Sequence, residues 1–260
     1  MRRILSPPLR GLAATAALAL LAGCDAGRSG TETASTTRTD SAAATVANSG
    51  AISISTTSDG ARKLYLEGRA LSEQLRAHDG RKLYEQAAAK DPAFAMAHYQ
   101  LAANAATAKD FFAHLKEAAA LAARASEGER LMILALEAGG NANPTKALEY
   151  QKELVAKYPS DERARFLLGG AWFGQQEYVK AIEQYRKATQ INPGYSPAYN
   201  LLGYAYRNVE QFPEAEAAFK KYIELIPGDP NPYDSYAELL MKTGRFDESI
   251  AQYRKALSVN

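Results

Sequence analysis

The chain has few of the residues on which metal sites and disulfides depend. Cys24 is its only cysteine, so an internal disulfide is impossible and a closed cysteine-based metal site is excluded. Three histidines are present, His78, His98 and His114, and none has a cysteine at metal-ligand spacing. His98 and His114 can approach each other across one helical hairpin, where paired imidazoles are usually structural. The sequence therefore predicts no metal and no cofactor.

Motifs of catalysis are missing as well. No glycine-rich phosphate loop, nucleophile elbow or metalloprotease motif occurs. The carboxylates Glu127, Glu129 and Glu137 follow helical spacing and are interpreted as a solvated face. We predict no catalytic residues and no enzyme. The alternative from another class is an enzyme or enzyme subunit whose site lies within 61–127, a segment rich in alanine and poor in paired catalytic residue types.

The N-terminus has the features of a secretion signal. Basic residues near the start precede an apolar stretch over 12–21, which is shorter than a bilayer span. The stretch ends in Leu21-Ala22-Gly23-Cys24, which resembles the bacterial lipobox. That resemblance implies a lipoprotein signal peptide over 1–23 and an acylated Cys24. The chain would then be held to a membrane of the bacterial envelope by lipid alone, facing the periplasm or exterior. A soluble secreted protein with an incidental cysteine is the alternative.

Signal cleavage would also change the charge. The chain has 31 basic and 29 acidic residues, for a formal net charge of +2. Arg2, Arg3 and Arg10 lie in the signal, so the mature chain would have 31 − 3 = 28 basic residues against 29 acidic ones, or −1. The excess of positive charge belongs to the signal. Net charge therefore predicts neither nucleic-acid binding nor attraction to an anionic lipid surface.

Small and hydroxyl residues dominate the stretch that follows the signal. Residues 24–60 contain mostly Ser, Thr, Ala and Gly, too little apolar surface to offset the entropy of ordering. Ile52 and Ile54 alternate with Ser53 and Ser55, but no partner strand is evident nearby. We expect a flexible, lipidated tether over 24–60.

A 34-residue period marks the C-terminal half, where Pro159, Pro193 and Pro227 follow one another at that interval. Such a period is typical of stacked helical units, which present extended surfaces to partners. Small and aromatic landmarks recur with it in three stretches. They are Arg165-x₂-Leu168-Gly169-x₂-Trp172 with Ala181-x₃-Tyr185, Tyr199-x₂-Leu202-Gly203-x₂-Tyr206 with Ala215-x₃-Phe219, and Tyr233-x₂-Tyr236-Ala237-x₂-Leu240 with Ser249-x₃-Tyr253.

These landmarks resemble the tetratricopeptide repeat. The resemblance implies an all-α, right-handed superhelical solenoid of stacked antiparallel helix pairs. It places repeats over 128–260, divided into a degenerate unit at 128–161 and units at 162–195, 196–229 and 230–260. Weaker matches upstream predict divergent helical repeats over 61–127. Twelve helices are expected in total.

In this family the first helix of each unit lines a concave groove that binds a protein or peptide. The resemblance places nine lining positions in this chain: Phe166, Gly170, Phe173, Asn200, Tyr204, Arg207, Asp234, Glu238 and Met241. Such a groove is apolar at one end and acidic at the other, which suits a peptide or helix with a hydrophobic anchor and a basic flank. The alternative is that the polar members are a solvated or mutually paired face.

Three further hypotheses concern partners. An outer-membrane barrel-assembly or type IV pilus assembly lipoprotein is a narrower version of the scaffold function. Stacking of tyrosines between Tyr195 and Tyr236 on glycan is another, although most of these occupy repeat packing positions. The last helix has Ile250, Tyr253 and Leu257 on a face without a capping helix, so a homodimer through it is possible, with fraying as the alternative.

Overall fold

The structure is a computed structural model that describes residues 50–259, and within that range it contains twelve α-helices, one short 3₁₀ helix and no strand. The α-helices are α1 Asp59–Glu73, α2 Ala77–Lys90, α3 Ala95–Ala103, α4 Ala108–Leu121, α5 Glu127–Gly140, α6 Pro144–Lys157, α7 Glu162–Gly174, α8 Tyr178–Ile191, α9 Ser196–Asn208, α10 Phe212–Leu225, α11 Asn231–Lys242 and α12 Phe246–Ser258. The predicted all-α class and helix number are confirmed. The predicted signal peptide, Cys24 and most of the predicted tether lie outside the described residues.

The helices form six antiparallel hairpins, each of which packs on the next. The first helices of neighbouring hairpins also contact one another, α3 with α5, α7 with α9, and α9 with α11. No two second helices within residues 50–259 make comparable contacts. Closer packing on one side bends a stack toward that side, so the first helices lie on its inner face. The predicted solenoid of helix pairs is confirmed.

The turn within a hairpin repeats with the same period as the sequence. Ala142, Gln176, Glu210 and Gly244 each adopt a positive φ, between 55° and 78°, and each follows the previous one by 34 residues. Only glycine adopts this region without steric cost. The other three residues hold it because the two helices on either side fix the turn.

Glycines on the first helices set the distance within two hairpins. A Cβ added to Gly169 would lie 2.5 Å from Cε1 of Tyr185, and one added to Gly203 would lie 2.6 Å from Cε1 of Phe219. Both rings are fully buried. The small residue on one helix and the ring on the other therefore form a single packing unit, as the repeat pattern predicts.

Helix ends match the prolines. α6, α8 and α10 each end two residues before Pro159, Pro193 and Pro227, respectively. The residue before a proline is disfavoured in helical geometry, which explains why each second helix stops there. α2 also ends two residues before a proline, Pro92.

The second hairpin departs from the pattern. α3 has only 9 residues, no positive φ occurs between α3 and α4 among the described residues, and a 3₁₀ helix over Ala122–Arg124 follows α4. The segment 61–127 is thus helical throughout its two hairpins, with its irregularity concentrated in the second.

Residues 50–58, which we call the strap, correct one prediction. The sequence predicted flexible chain as far as residue 60, but the strap lies against the repeats, with Ile52 and Ile54 packed on the hydrophobic core. Thr56 is 5% exposed. The prediction was wrong for these residues because Ile52 and Ile54 bury apolar surface against the repeats. The composition of the segment does not reveal that such a surface exists.

Candidate functional site

Helices α9 and α11 place polar side chains side by side on the inner face. On α9, Ala198, Leu202 and Ala205 are buried in the core, which leaves positions 200, 204 and 207 on the opposite stripe. On α11 the corresponding stripe is 234, 238 and 241. We call the two stripes, together with Ser235, the α9–α11 face.

An ion pair joins the two helices of this face. Nη1 of Arg207 donates to Oε2 of Glu238 at 2.8 Å. The two side chains are 25% and 37% exposed, so solvent screens the pair only in part. The guanidinium carbon of Arg207 also lies 4.8 Å from the centre of the Tyr204 ring, in cation–π geometry. Arg207 is therefore held in place by two neighbours, and part of the mutually paired alternative is correct.

A hydrogen-bonded chain runs beside the ion pair. The Tyr204 hydroxyl donates to Oγ of Ser235 at 3.1 Å, and Ser235 donates to Oδ1 of Asn200 at 3.3 Å. Burial raises the pKa of Tyr204 to about 12, so its hydroxyl stays protonated and remains a donor. The chain fixes the Asn200 amide with its oxygen occupied and its NH₂ group left to donate to a ligand carbonyl.

Asp234 differs from its neighbours because it lacks a counter-ion. No cation within residues 50–259 lies in salt-bridge range of its carboxylate. Burial and the nearby Glu238 carboxylate both raise its pKa. The α9–α11 face thus carries one carboxylate paired with Arg207 and a second that is partly desolvated and unneutralised, a combination that favours an incoming cation.

Tyr253 of α12 lies near the same carboxylates. Burial raises the pKa of its hydroxyl, and the charges of Asp234 and Glu238 raise it further. The sequence had assigned Tyr253 to an exposed apolar face, but the residue is half-buried. Its place beside the acidic pair was not predicted, because it depends on how the last hairpin folds back on α11.

The aromatic residues at the predicted apolar end of the groove pack against other aromatic side chains of the repeats. The Phe166 ring lies edge-on to Tyr195 with centroids 5.4 Å apart, and Phe173 lies 5.3 Å from Tyr178. Gly170 is buried. The structure therefore brings the α9 and α11 positions together and leaves these three outside the cluster. Met241, at the end of α11, is 50% exposed.

The last helix exposes an apolar edge. Ile250 and Leu257 are 48% and 74% exposed, and Phe246 at the start of α12 is 63% exposed. Phe246 was not singled out in the sequence because it falls just after a turn. A homodimer through this edge stays a prediction.

The histidines and the α5 carboxylates singled out in the sequence lie in different environments. The rings of His98 and His114 lie 6.0 Å apart across the α3–α4 hairpin, as the spacing suggested, and within residues 50–259 no three metal-binding side chains cluster. Glu127 is exposed and pairs with Lys157 at 2.9 Å. Glu129, however, is 2% exposed, so its assignment to a solvated face was wrong: it caps α5 and binds the strap.

No helix in the described part of the chain has the length and hydropathy of a membrane span.

Comparison with known proteins agrees with the repeat assignment. Sequence profiles described as "Tetratricopeptide repeat" match residues 134–196, 173–235 and 231–260. Two solved structures have similar folds, "MamA MSR-1 C2" and "MamA AMB-1 P212121". Each is 21% identical and covers 58% of this chain, with 89% and 92% of the other chain covered and TM-scores of 0.50 and 0.51. No curated protein sequence matches the chain. At this identity the likeness to both structures shows the fold alone.

Proposed function

We propose, from the tetratricopeptide repeats over residues 134–260, that the chain binds a basic segment of a partner protein on its α9–α11 face. Repeats of this kind serve as protein-interaction scaffolds. The proposal adds where the partner binds, on the α9–α11 face, and what the partner presents there, a basic segment. It also makes the protein a lipid-anchored component of the bacterial envelope, held through Cys24 and facing the periplasm or exterior.

The main support for the proposal is that the Asp234 carboxylate has no cation in salt-bridge range within residues 50–259. A lysine or arginine of the partner would pair with it, while Glu238 is already engaged by Arg207 at 2.8 Å. A charged hydrogen bond of this kind contributes about 1.5–3 kcal/mol. The Asn200 amide would donate to a backbone carbonyl of the bound segment, and the exposed Met241 would cover an apolar side chain. The ligand is thus an extended or helical segment with one basic and one apolar anchor.

The test is a photo-crosslink from position 241 in living cells, with the adduct identified by mass spectrometry. We expect one dominant envelope protein whose yield falls sharply in D234N, because that change removes the charge and keeps the shape. E117Q is the matched control, since Glu117 is an exposed carboxylate on α4. An adduct that is unaffected by D234N would contradict the proposed site. The captured protein would also separate barrel assembly from pilus assembly.

The lipid anchor has its own test. Cells supplied with an alkyne-bearing fatty acid should label the wild-type chain, and C24S should abolish the label. The support for this part is the lipobox-like sequence around Cys24. Labelling of C24S at the wild-type level would contradict the anchor while leaving the α9–α11 face untouched.

A further inference from the structure

The strap is held by its backbone, as a bound peptide would be. The amide of Ile52 donates to Oδ2 of Asp161 at 3.1 Å, and the amide of Ser55 donates to both carboxylate oxygens of Glu129 at 3.2 Å. The hydroxyl of Ser55 also donates to Glu129. Two backbone donors of the strap, three residues apart, therefore bind acceptors on two different hairpins.

Those two carboxylates belong to helix starts. Asp161 is the N-cap of α7 and accepts from the amides of Arg163 and Ala164, while Glu129 completes a capping box at α5. Both are buried, at 0% and 2% exposure. A buried carboxylate is tolerated only when hydrogen bonds satisfy its oxygens. Each one caps its own helix and still has acceptor capacity that the strap uses.

Side chains of the strap fit a prepared surface. A Cβ on Gly128 would lie 2.8 Å from Cγ2 of Ile52, so the absence of a side chain at 128 makes room for that isoleucine. Ile54 lies with Ile52 against Met96 and Met132. At the far end, the Thr56 hydroxyl donates to Oδ2 of Asp91 at 2.6 Å.

The strap therefore runs along the stack in the reverse of the order of the hairpins. It passes from the start of α7, over the start of α5, to the end of α2, and so contacts three hairpins before α1 begins. Three carboxylates, Asp161, Glu129 and Asp91, lie along its path. They exclude an acidic segment and favour a neutral or basic one.

We propose that this surface is a second peptide-binding site, filled in cis by residues 51–56. Its ligand is an extended segment in which branched aliphatic side chains alternate with serine or threonine. The site is separate from the α9–α11 face and does not depend on it. When another segment takes the place of the strap, residues 50–58 are released from the repeats.

The test uses a synthetic peptide with the sequence of residues 50–57 and a fluorescent label. In the full chain, I52D/I54D places two carboxylates of the strap against the acidic path and vacates the site without altering the repeats. We expect the peptide to bind this variant at least on the order of tenfold more tightly than the wild type, where the cis strap competes at high effective concentration. A peptide with both isoleucines replaced by aspartate should not bind.

A second measurement keeps the proposal testable if I52D/I54D folds poorly. Hydrogen exchange of the Ile52 and Ser55 amides should be slow in the wild type and faster in G128A, which crowds Ile52. G139A is the matched control on the same helix, because a Cβ there meets nothing within 4 Å. Unprotected amides in the wild type, or no peptide binding to a folded I52D/I54D, would overturn the proposal.

Discussion

The hydroxyl of Ser196 donates a hydrogen bond of 2.6 Å to the backbone carbonyl of Glu73, across 123 residues of sequence. It joins the first turn of α9 to the last turn of α1. The Glu73 carboxylate also accepts from Nε of Arg163, at the start of α7, at 3.3 Å. A stack in which each hairpin contacts only its neighbours has no such bonds. The first hairpin therefore closes back on the fourth and fifth.

Because this bond joins the first hairpin to the fifth, S196A should lower the stability of the stack as a whole. The variant removes a buried donor and leaves the Glu73 carbonyl without it, so the free energy of unfolding should fall by about 1 kcal/mol. Urea unfolding followed by circular dichroism measures the change. S258A is the control, because the Ser258 hydroxyl makes an equivalent bond to the carbonyl of Lys255 on an exposed helix end. Equal losses of unfolding free energy in the two variants would show that the bond between α9 and α1 stabilises the protein no more than a local bond at a helix end does.

Close packing of α9 on α10 predicts a large effect of G203A. The new methyl group would lie 2.6 Å from the Phe219 ring, and overpacking of this kind costs about 1–3 kcal/mol. G139A should instead stabilise α5 slightly, since alanine is the better helix former and the site is open. Urea midpoints of both variants measure the contrast. If steric conflict is the cause, F219L should reduce the penalty of G203A in a double-mutant cycle.

The sequence predicted what the repeat itself determines. Spacing of glycines against aromatic residues gave the helix pairs and their close approach, and the prolines gave the ends of the second helices. It did not predict the strap, because Ile52 and Ile54 lie in a Ser-rich stretch and their binding surface comes from three separate hairpins. Nor did it predict the bond between Ser196 and Glu73, which depends on the curvature of the whole stack. The pairing of Arg207 with Glu238 was foreseen only as an alternative, since lining positions do not show which side chains reach each other.

Glu216 should make the last hairpin sensitive to acid. Its carboxylate is partly desolvated, but hydrogen bonds from Lys220, Tyr236 and Arg245 outweigh that effect and lower its pKa to about 2. The folded pKa is thus below the unfolded one, so this stabilisation is present above about pH 4.5 and is lost as the pH falls toward 2.

E216Q removes that carboxylate while keeping its shape. At neutral pH the variant should unfold more readily, by about 1 kcal/mol after allowance for solvent screening, and α11 and α12 should exchange their amide hydrogens faster than α9. E149Q is the control, because the ion pair that Glu149 makes within residues 50–259 is with an exposed lysine, Lys146. Unchanged exchange in α11 and α12 would contradict an anchoring role for Glu216.

His114, on α4, should give the stability a second dependence on pH, at milder acidity than that of Glu216. Burial lowers the pKa of His114, and electrostatic interactions with Arg81 and His98 lower it further, against weaker opposing effects of Asp110 and Glu85. The folded pKa is below the unfolded value of about 6.5, so the unfolded chain binds the proton first. Stability should therefore decrease as the pH falls through about 6.5 toward the folded pKa.

Replacement of the imidazole tests this sign. H114Q should flatten the decrease in urea midpoint between about pH 7.5 and pH 5.5, the range in which an ordinary histidine titrates. H78Q is the matched control, because it makes the same replacement at an exposed histidine on α2. The amide introduced by H114Q cannot take up a proton, so it removes the linkage while filling much of the same space between α3 and α4. A pH profile of H114Q that matches the wild type would assign the decrease to other groups, with the α3–α4 hairpin no longer its source.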